Sequence, residues 1–479
     1  MIPAKLKFLG IIFILSVSVS FSIFAQLKNH SNQSDYIIIT PSQFVNTLQP
    51  FADWRQQKGL NVKVVELQQI YSEFPDSLKP YSIRDFISYT LTYWSDPKPK
   101  YILLVGNSEL LPDYKVPSMF ADTTHREDSV AIDEWYSVNS YQSDTKPDVE
   151  LGRLPVNNEQ ELNNIIDKTI YFEDSLSFKD YNTDFLFLTD KTQPALFEDQ
   201  ANKFISNTVP FDFSIDTIFA GQDSIVERTR EKLFGALNSG TLFLSYYGHG
   251  APYTWSKYNI FTVGDVNSLK KNNLPFIFTA AACEQSFDYP NDSSIVRKLL
   301  VLDKSGTVAS VNSTGLNYIG LGSDFLNSFY NYLFNNQNVS LGEATLHAKF
   351  SLENSSTSKD AIPRRYTLLG DPALKIPLGT ISQVDISNQN IPETYSLKQN
   401  FPNPFNPSTT IRYSVPKAGF ITIKVYNILG ELVSTLINEY RQAGNYEIKF
   451  NGSNLSSGVY FYRMQAGNFV EAKKLILLK

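Results

Sequence analysis

Cysteine is nearly absent: one residue, Cys283, in a chain of 479. That excludes an intramolecular disulfide framework and any fold that depends on covalent staples. Histidine is scarce too, at positions 30, 125, 249 and 347, and no His/Cys spacing resembles a zinc site. A net charge of -6 and a pI near 5.4 exclude a broadly basic nucleic-acid binder and give no steering field for acidic partners. Neither a Gly-x-Ser-x-Gly elbow nor a P-loop occurs, so serine-hydrolase and nucleotide chemistry have no motif here. Beyond residue 25 no apolar run is long enough to span a bilayer.

What is present begins with an export signature. Lys5 and Lys7 flank a serine-dotted apolar stretch from Phe8 to Phe24, and Ala25 is the expected cleavage edge, so 1–25 read as a secretory signal. The mature chain is expected to be exported and soluble, with no transmembrane segment beyond the signal. A lone thiol in such a chain has no disulfide partner, which turns attention to its chemistry. A small buried hydrophobe is the ordinary role of a free cysteine.

From about 35 to 376 short apolar runs alternate with helical patterns. Asp35-Tyr-Ile-Ile-Ile-Thr40 reads as a strand feeding a helix capped by Thr40, with Pro41 in its first turn, Phe44, Leu48, Phe51 and Arg55 on one face, and Gly59 as the stop. Further strands are expected at 61–67, 101–105, 184–188, 213–219, 241–246, 275–281 and 306–311, with a helix at Ser82–Trp94. This alternation predicts parallel βαβ units in a three-layer α/β domain, residues 26–376, in two halves of about 35–180 and 181–376. Residues 112–150 are polar and aperiodic, as in a functional loop or an inserted subdomain. A polar linker at 377–394 leads to 395–479, where β-branched alternation broken at Gly430, Gly444, Gly452 and Gly458 predicts an all-β sandwich of about seven strands.

Two apolar strands end in reactive residues: TLFLSYYGHG in His249 and LPFIFTAAAC in Cys283. Chemistry in α/β sheets collects past the carboxyl ends of strands. The 34 residues between the two leave room for one crossover, with a helix near Val263–Lys271, so the strands can be neighbours. A thiol beside an imidazole is an equipped nucleophile for acyl transfer. Gly248 and Gly250 allow close backbone approach, and the amides of Gly250 and Cys283 are the candidate oxyanion donors. Thiolate character at neutral pH would need His249 or another positive influence. A simple turn is the plain alternative for Gly-His-Gly.

Tyr247-Gly-His-Gly250 with Trp255, then Thr279-Ala-Ala-Ala-Cys283, resembles the gingipain family of cysteine peptidases, whose catalytic domain has a caspase-like fold. The likeness extends over roughly 35–376 through Tyr101-Ile-Leu-Leu-Val-Gly106, Pro147-Asp-Val-Glu-Leu-Gly-Arg-Leu-Pro155 and Leu369-Gly-Asp-Pro-Ala373. It implies His249 and Cys283 as a catalytic dyad, and an acid near Gly152-Arg153 that orients the histidine, matched to Asp148. It implies protein or peptide substrates and no required cofactor or catalytic metal, with structural calcium left open. Asn107 stands where the family often has aspartate, and the catalytic domain is expected to begin almost directly after the signal. Asn400-Phe-Pro-Asn-Pro-Phe-Asn-Pro-Ser-Thr-Thr-Ile411, Tyr426-Asn-Ile-Leu-Gly430 and Ser457-Gly-Val-Tyr-Phe-Tyr462 resemble the C-terminal sorting domain of the type IX secretion system. That resemblance implies the type IX machinery as partner and delivery through the periplasm to the outer-membrane surface or the medium. A non-catalytic surface or secretion-apparatus protein that keeps the peptidase fold is the competing expectation.

Overall fold

The computed structural model describes residues 26–113, 115–117, 129–138, 147–177, 180–210, 213–289, 292–353, 365–376, 392–441 and 443–479. The signal read at 1–25, His125 and most of the linker lie outside the described residues.

The chain opens with strand β1 (Tyr36–Thr40), helix α1 (Val45–Gln57), β2 (Val62–Glu66), α2 (Leu67–Glu73), α3 (Lys79–Tyr93) and β3 (Tyr101–Val105). Short strands β4 (Lys115–Pro117) and β5 (Ser129–Ala131) form a hairpin-like pair ahead of β6 (Glu150–Leu154) and α4 (Glu159–Ser175). Then come β7 (Thr183–Thr189), α5 (Pro194–Asn207), β8 (Ile215–Phe219), α6 (Val226–Ser239) and β9 (Thr241–Tyr247). A three-stranded antiparallel flap follows, β10 (Gly250–Ala251), β11 (Thr254–Trp255) and β12 (Phe261–Thr262), before β13 (Phe276–Ala281). The remaining elements of this part are α7 (Ile295–Val301), β14 (Thr307–Ser313), α8 (Ile319–Asn335), α9 (Leu341–Glu353) and β15 (Tyr366–Leu369).

Ten strands form one sheet in the order β2-β1-β3-β6-β15-β14-β13-β9-β7-β8. β1, β3, β9, β13 and β14 are buried along their whole length, as expected of strands covered by helices on both faces. β2, β1, β3, β6 and β15 run parallel to one another, and so do β14, β13, β9, β7 and β8. The junction of β15 with β14 is antiparallel. The two groups of strands therefore point in opposite directions.

Several expectations change in detail. Thr40 makes no cap: a 3₁₀ turn at Ser42–Phe44 intervenes, its first residue preceded by Pro41 with no side-chain cap. Phe44, Leu48, Phe51 and Arg55 are buried as the helical face requires. The crossover helix near Val263–Lys271 is a single 3₁₀ segment, Val263–Ser268, capped reciprocally by Thr262 and Asp265. β6, β15 and the flap strands had no expected counterpart.

The C-terminal part has seven strands: β16 (Ser396–Leu397), β17 (Ser408–Val415), β18 (Gly419–Asn427), β19 (Leu432–Arg441), β20 (Gly444–Asn451), β21 (Gly458–Ala466) and β22 (Phe469–Leu477). They make two antiparallel sheets, β16-β17-β20 and β19-β18-β21-β22. Ile411, Tyr413, Ile421, Ile423, Tyr462, Met464 and Leu475 fill the space between them. Phe401, in the proline-rich segment, meets Phe219 of β8 edge-on at 6.4 Å. Beside that contact a cleft of about 660 Å³ opens between α5 and the sandwich.

Candidate active site

β9 and β13 are parallel neighbours, with Tyr247 opposite Ala281. His249 and Cys283 each lie two residues beyond that last pair, so the register sets them side by side at one end of the sheet. The loops that carry them touch. A Cβ at Gly250 would lie 2.9 Å from the Cys283 carbonyl oxygen and 2.5 Å from Gln285 Nε2, so only glycine fits there. A Cβ at Gly248 would collide with Tyr246 and Asp190.

His249 is exposed, with its ring edge-on to Phe197 of α5 at 5.4 Å. Its backbone is fixed on both sides. The His249 N–H donates to Asp190 Oδ2 at 3.1 Å. Its carbonyl accepts from the Tyr246 hydroxyl and from Ser256 N–H, both at 2.8 Å. Asp190 follows β7 directly and is fully buried, and its Oδ1 accepts from Ser256 Oγ at 2.6 Å and from Thr192 N–H at 3.0 Å. One carboxylate thus ties the histidine loop, the flap and the end of β7 together.

Cys283 is half-buried and precedes Glu284, a non-glycine residue in the left-handed region at φ 50°. The thiol donates to the Asn317 carbonyl at 3.3 Å, and the Asn317 N–H donates back to Sγ at 3.3 Å. Gln285 Nε2 donates to the Cys283 carbonyl at 3.0 Å, and Gln285 Oε1 accepts from Trp255 Nε1 at 3.0 Å. Burial pushes the Cys283 thiol up, with Glu284 adding to the rise, while the Asn317 amide and the Arg365 guanidinium pull it down. The balance is a protonated resting thiol, not a preformed thiolate.

Asp148 is not brought to this pair. It is exposed just before β6, where its N–H donates to the Ser137 carbonyl at 2.8 Å. β6 and β9 are separated by β15, β14 and β13, and at ~4.8 Å per strand this puts them roughly 19 Å apart. The acid beside His249 is Asp190, on the strand that flanks β9. Sequence reading passed over it, although it ends the apolar run Phe185–Thr189 just as His249 follows its own. Asn317 and Arg365 were likewise missed, because they come to the Cys283 loop through pairings distant along the chain; Gln285, only two residues from Cys283, carries no motif that marks it. Of the other histidines, His30 stacks on Tyr93 and His347 on Tyr332. Among the described residues no group of three or more His, Cys, Asp or Glu side chains is placed to hold a metal ion. No helix among them is long and apolar enough to cross a membrane.

Residues 29–377 match peptidase family C25, and residues 399–478 match the secretion system C-terminal sorting domain. Gingipain R2 of Porphyromonas gingivalis is 23% identical over 356 residues, which cover 71% of this chain and 45% of that protein. Lys-gingipain HG66 of the same organism is 23% identical over 261 residues, covering 53% of this chain and 14% of that one. The chain therefore spans less than half the length of these curated relatives. Among solved structures, the Arg-specific cysteine proteinase gingipain R (RgpB) superposes with a TM-score of 0.59 at 17% identity, over 94% of this chain and 99% of that one. That likeness establishes the caspase-like architecture expected from the gingipain resemblance.

Proposed function

The chain belongs to peptidase family C25, and from that premise we propose that it is a cysteine endopeptidase with Cys283 as nucleophile and His249 as proton carrier. Its sorting domain marks it for secretion and the cell surface. The observation that carries the reading is the β9–β13 register, which delivers imidazole and thiol from adjacent strand ends.

In this reading a peptide carbonyl settles between the two loops. Proton transfer from Sγ to His249 produces the thiolate, which forms a C–S bond to the carbonyl carbon. The Gly250 and Cys283 amides would receive the developing oxyanion. His249 returns its proton to the leaving amine as the C–N bond breaks, and water then hydrolyses the thioester, releasing the acid and restoring the thiol. Asp190 acts through backbone placement, holding the His249 loop in reach. A thiol that rests protonated on Asn317 must be activated as substrate arrives. That same resting state is the one observation favouring a non-catalytic member of the family.

The test is turnover of a randomised peptide library by wild type and Cys283→Ala. Hydrolysis by wild type that vanishes in the variant supports the assignment; equal hydrolysis by both removes it. Absence of hydrolysis in wild type, together with a Cys283 inert to iodoacetamide, would favour the non-catalytic reading.

A further inference from the structure

Behind the thiol lies a buried cation outside the mechanism above. Arg365 is fully buried, immediately before β15, where Tyr366 pairs with Ser313 at the end of β14. Its Nη1 donates to the Leu316 carbonyl at 3.0 Å. The next residue, Asn317, makes both hydrogen bonds to Cys283 Sγ. Arg365 also binds the start of the same loop through its carbonyl, which accepts from Thr314 N–H at 2.9 Å and Thr314 Oγ1 at 3.2 Å. Tyr366 completes the clamp by accepting from Asn317 Nδ2 at 2.7 Å. Residues 314–317 are therefore held from beneath at three points, and the held segment presents its amide to sulfur.

The geometry assigns Arg365 as the positioning residue of the nucleophile: it fixes the Thr314–Asn317 loop against Sγ and supplies the buried positive charge that stabilises the thiolate. The charged and titratable groups around the thiol are Glu284 on its own loop, Arg365 and Tyr366 from the β15 side, and His249 across the β9 end. Of the two cationic candidates, Arg365 is the permanent one, since a guanidinium does not titrate in the working range of a peptidase. It stands where water cannot screen it, so its field reaches sulfur at higher strength than a surface charge would. His249 is then free to accept a proton without also having to be the standing counter-charge. The assignment rests on reading Cys283 as the nucleophile, but its physical content, a charge acting on a thiol, is measurable without any substrate.

Because Cys283 is the sole cysteine, alkylation by iodoacetamide followed by intact mass reports on this thiol alone. Rates measured from pH 6 upward, through the alkaline range as far as the fold persists, are compared for wild type, Arg365→Met and Arg365→Lys, the relative rate at a common pH below the midpoint reporting any shift of the thiol midpoint. Loss of the charge is expected to raise the midpoint by about one unit, roughly a tenfold slower reaction at neutral pH. Arg365→Lys keeps the charge and is expected to keep most of the midpoint. The difference between wild type and Arg365→Met should persist at 1 M salt. Superposable profiles for wild type and Arg365→Met would overturn the assignment, as would equal shifts in both variants. If Arg365→Met fails to fold, Arg365→Lys decides alone: a midpoint moved by a full unit despite the retained charge refutes the electrostatic role. If wild type alkylates with an Arg365-dependent midpoint but cleaves no peptide, the peptidase reading fails while this one stands.

Discussion

Asp190 offers the sharpest test of how the site is built, because every hydrogen bond it accepts serves placement. Replacing it with asparagine keeps the volume and changes one oxygen into a donor. Oδ2 faces the His249 N–H at 3.1 Å and Oδ1 faces the Thr192 N–H at 3.0 Å. Either orientation of the new amide therefore sets an NH₂ against a backbone N–H. Keeping the oxygen at the Oδ1 position, where Ser256 also donates, retains two bonds and orphans the His249 amide. Losing a charge-assisted bond and leaving a buried donor unpaired costs about 2–3 kcal/mol. For a domain of this size that lowers the melting temperature by about 5 °C. The larger effect falls on chemistry: a His249 loop displaced by even a fraction of an ångström is expected to lower kcat by roughly 100-fold with little change in KM. The assay pairs peptide kinetics with a thermal melt. An Asp190→Asn enzyme that melts low yet turns over at wild-type kcat would refute the positioning argument. Asp148→Asn is the matched control, and its exposed site four strands away predicts wild-type kinetics and melting.

Further expectations concern the scaffold. Lys168 is buried and donates to the carbonyls of Leu299, Leu300, Ser305 and Thr307, so Lys168→Met should cost about 3 kcal/mol by stranding acceptors, read as a lower denaturant midpoint; an unchanged midpoint would contradict this. Burial pushes Glu150 up to about 7. Between the ordinary glutamate range and pH 7 the folded state then holds the proton the unfolded chain has released, so stability should fall as pH rises through that window. Glu150→Gln should flatten that slope, visible in melts from pH 4 to 8. Deleting Tyr395–Lys479 should leave Cys283 alkylation intact and lower core melting only slightly, since the Phe401–Phe219 contact is worth about 1 kcal/mol. In the producing bacterium the same deletion should stop surface delivery; normal delivery would refute the sorting role.

Much of this architecture was legible because a two-sided sheet writes itself as apolar runs. Strands such as Tyr101–Val105 and Phe276–Ala281 carry no charged residue, and each was located to within a residue or two. His249 and Cys283 were visible for the same reason, as the first reactive groups after such runs. β6 escaped because Glu150-Leu-Gly-Arg-Leu154 places charges inside the sheet, where Arg153 is neutralised by Asp133 through two hydrogen bonds. β15, four residues long, is too short for a periodic signal. Asp148 was misplaced for a deeper reason. Local pattern says that a strand exists, but not which way its half of the sheet points or how many strands intervene. The thiol's environment was illegible likewise: Asn317 and Arg365 reach Cys283 only through the β13–β14–β15 pairings.

The reversal of direction between β15 and β14 gives the molecule two rims with separate duties. Strand ends of the second half and strand starts of the first share the rim that holds Cys283. The turns leaving Thr40, Val105 and Leu154 emerge on the other. Insertions in the turns leaving Thr40 and Leu154 would stay clear of the thiol, whereas the connection leaving Val105 comes back to it, since the Ala131 carbonyl accepts from Thr314 Oγ1 at 2.7 Å. For protein engineering, the Thr40 and Leu154 turns are the place to graft an affinity handle or a reporter.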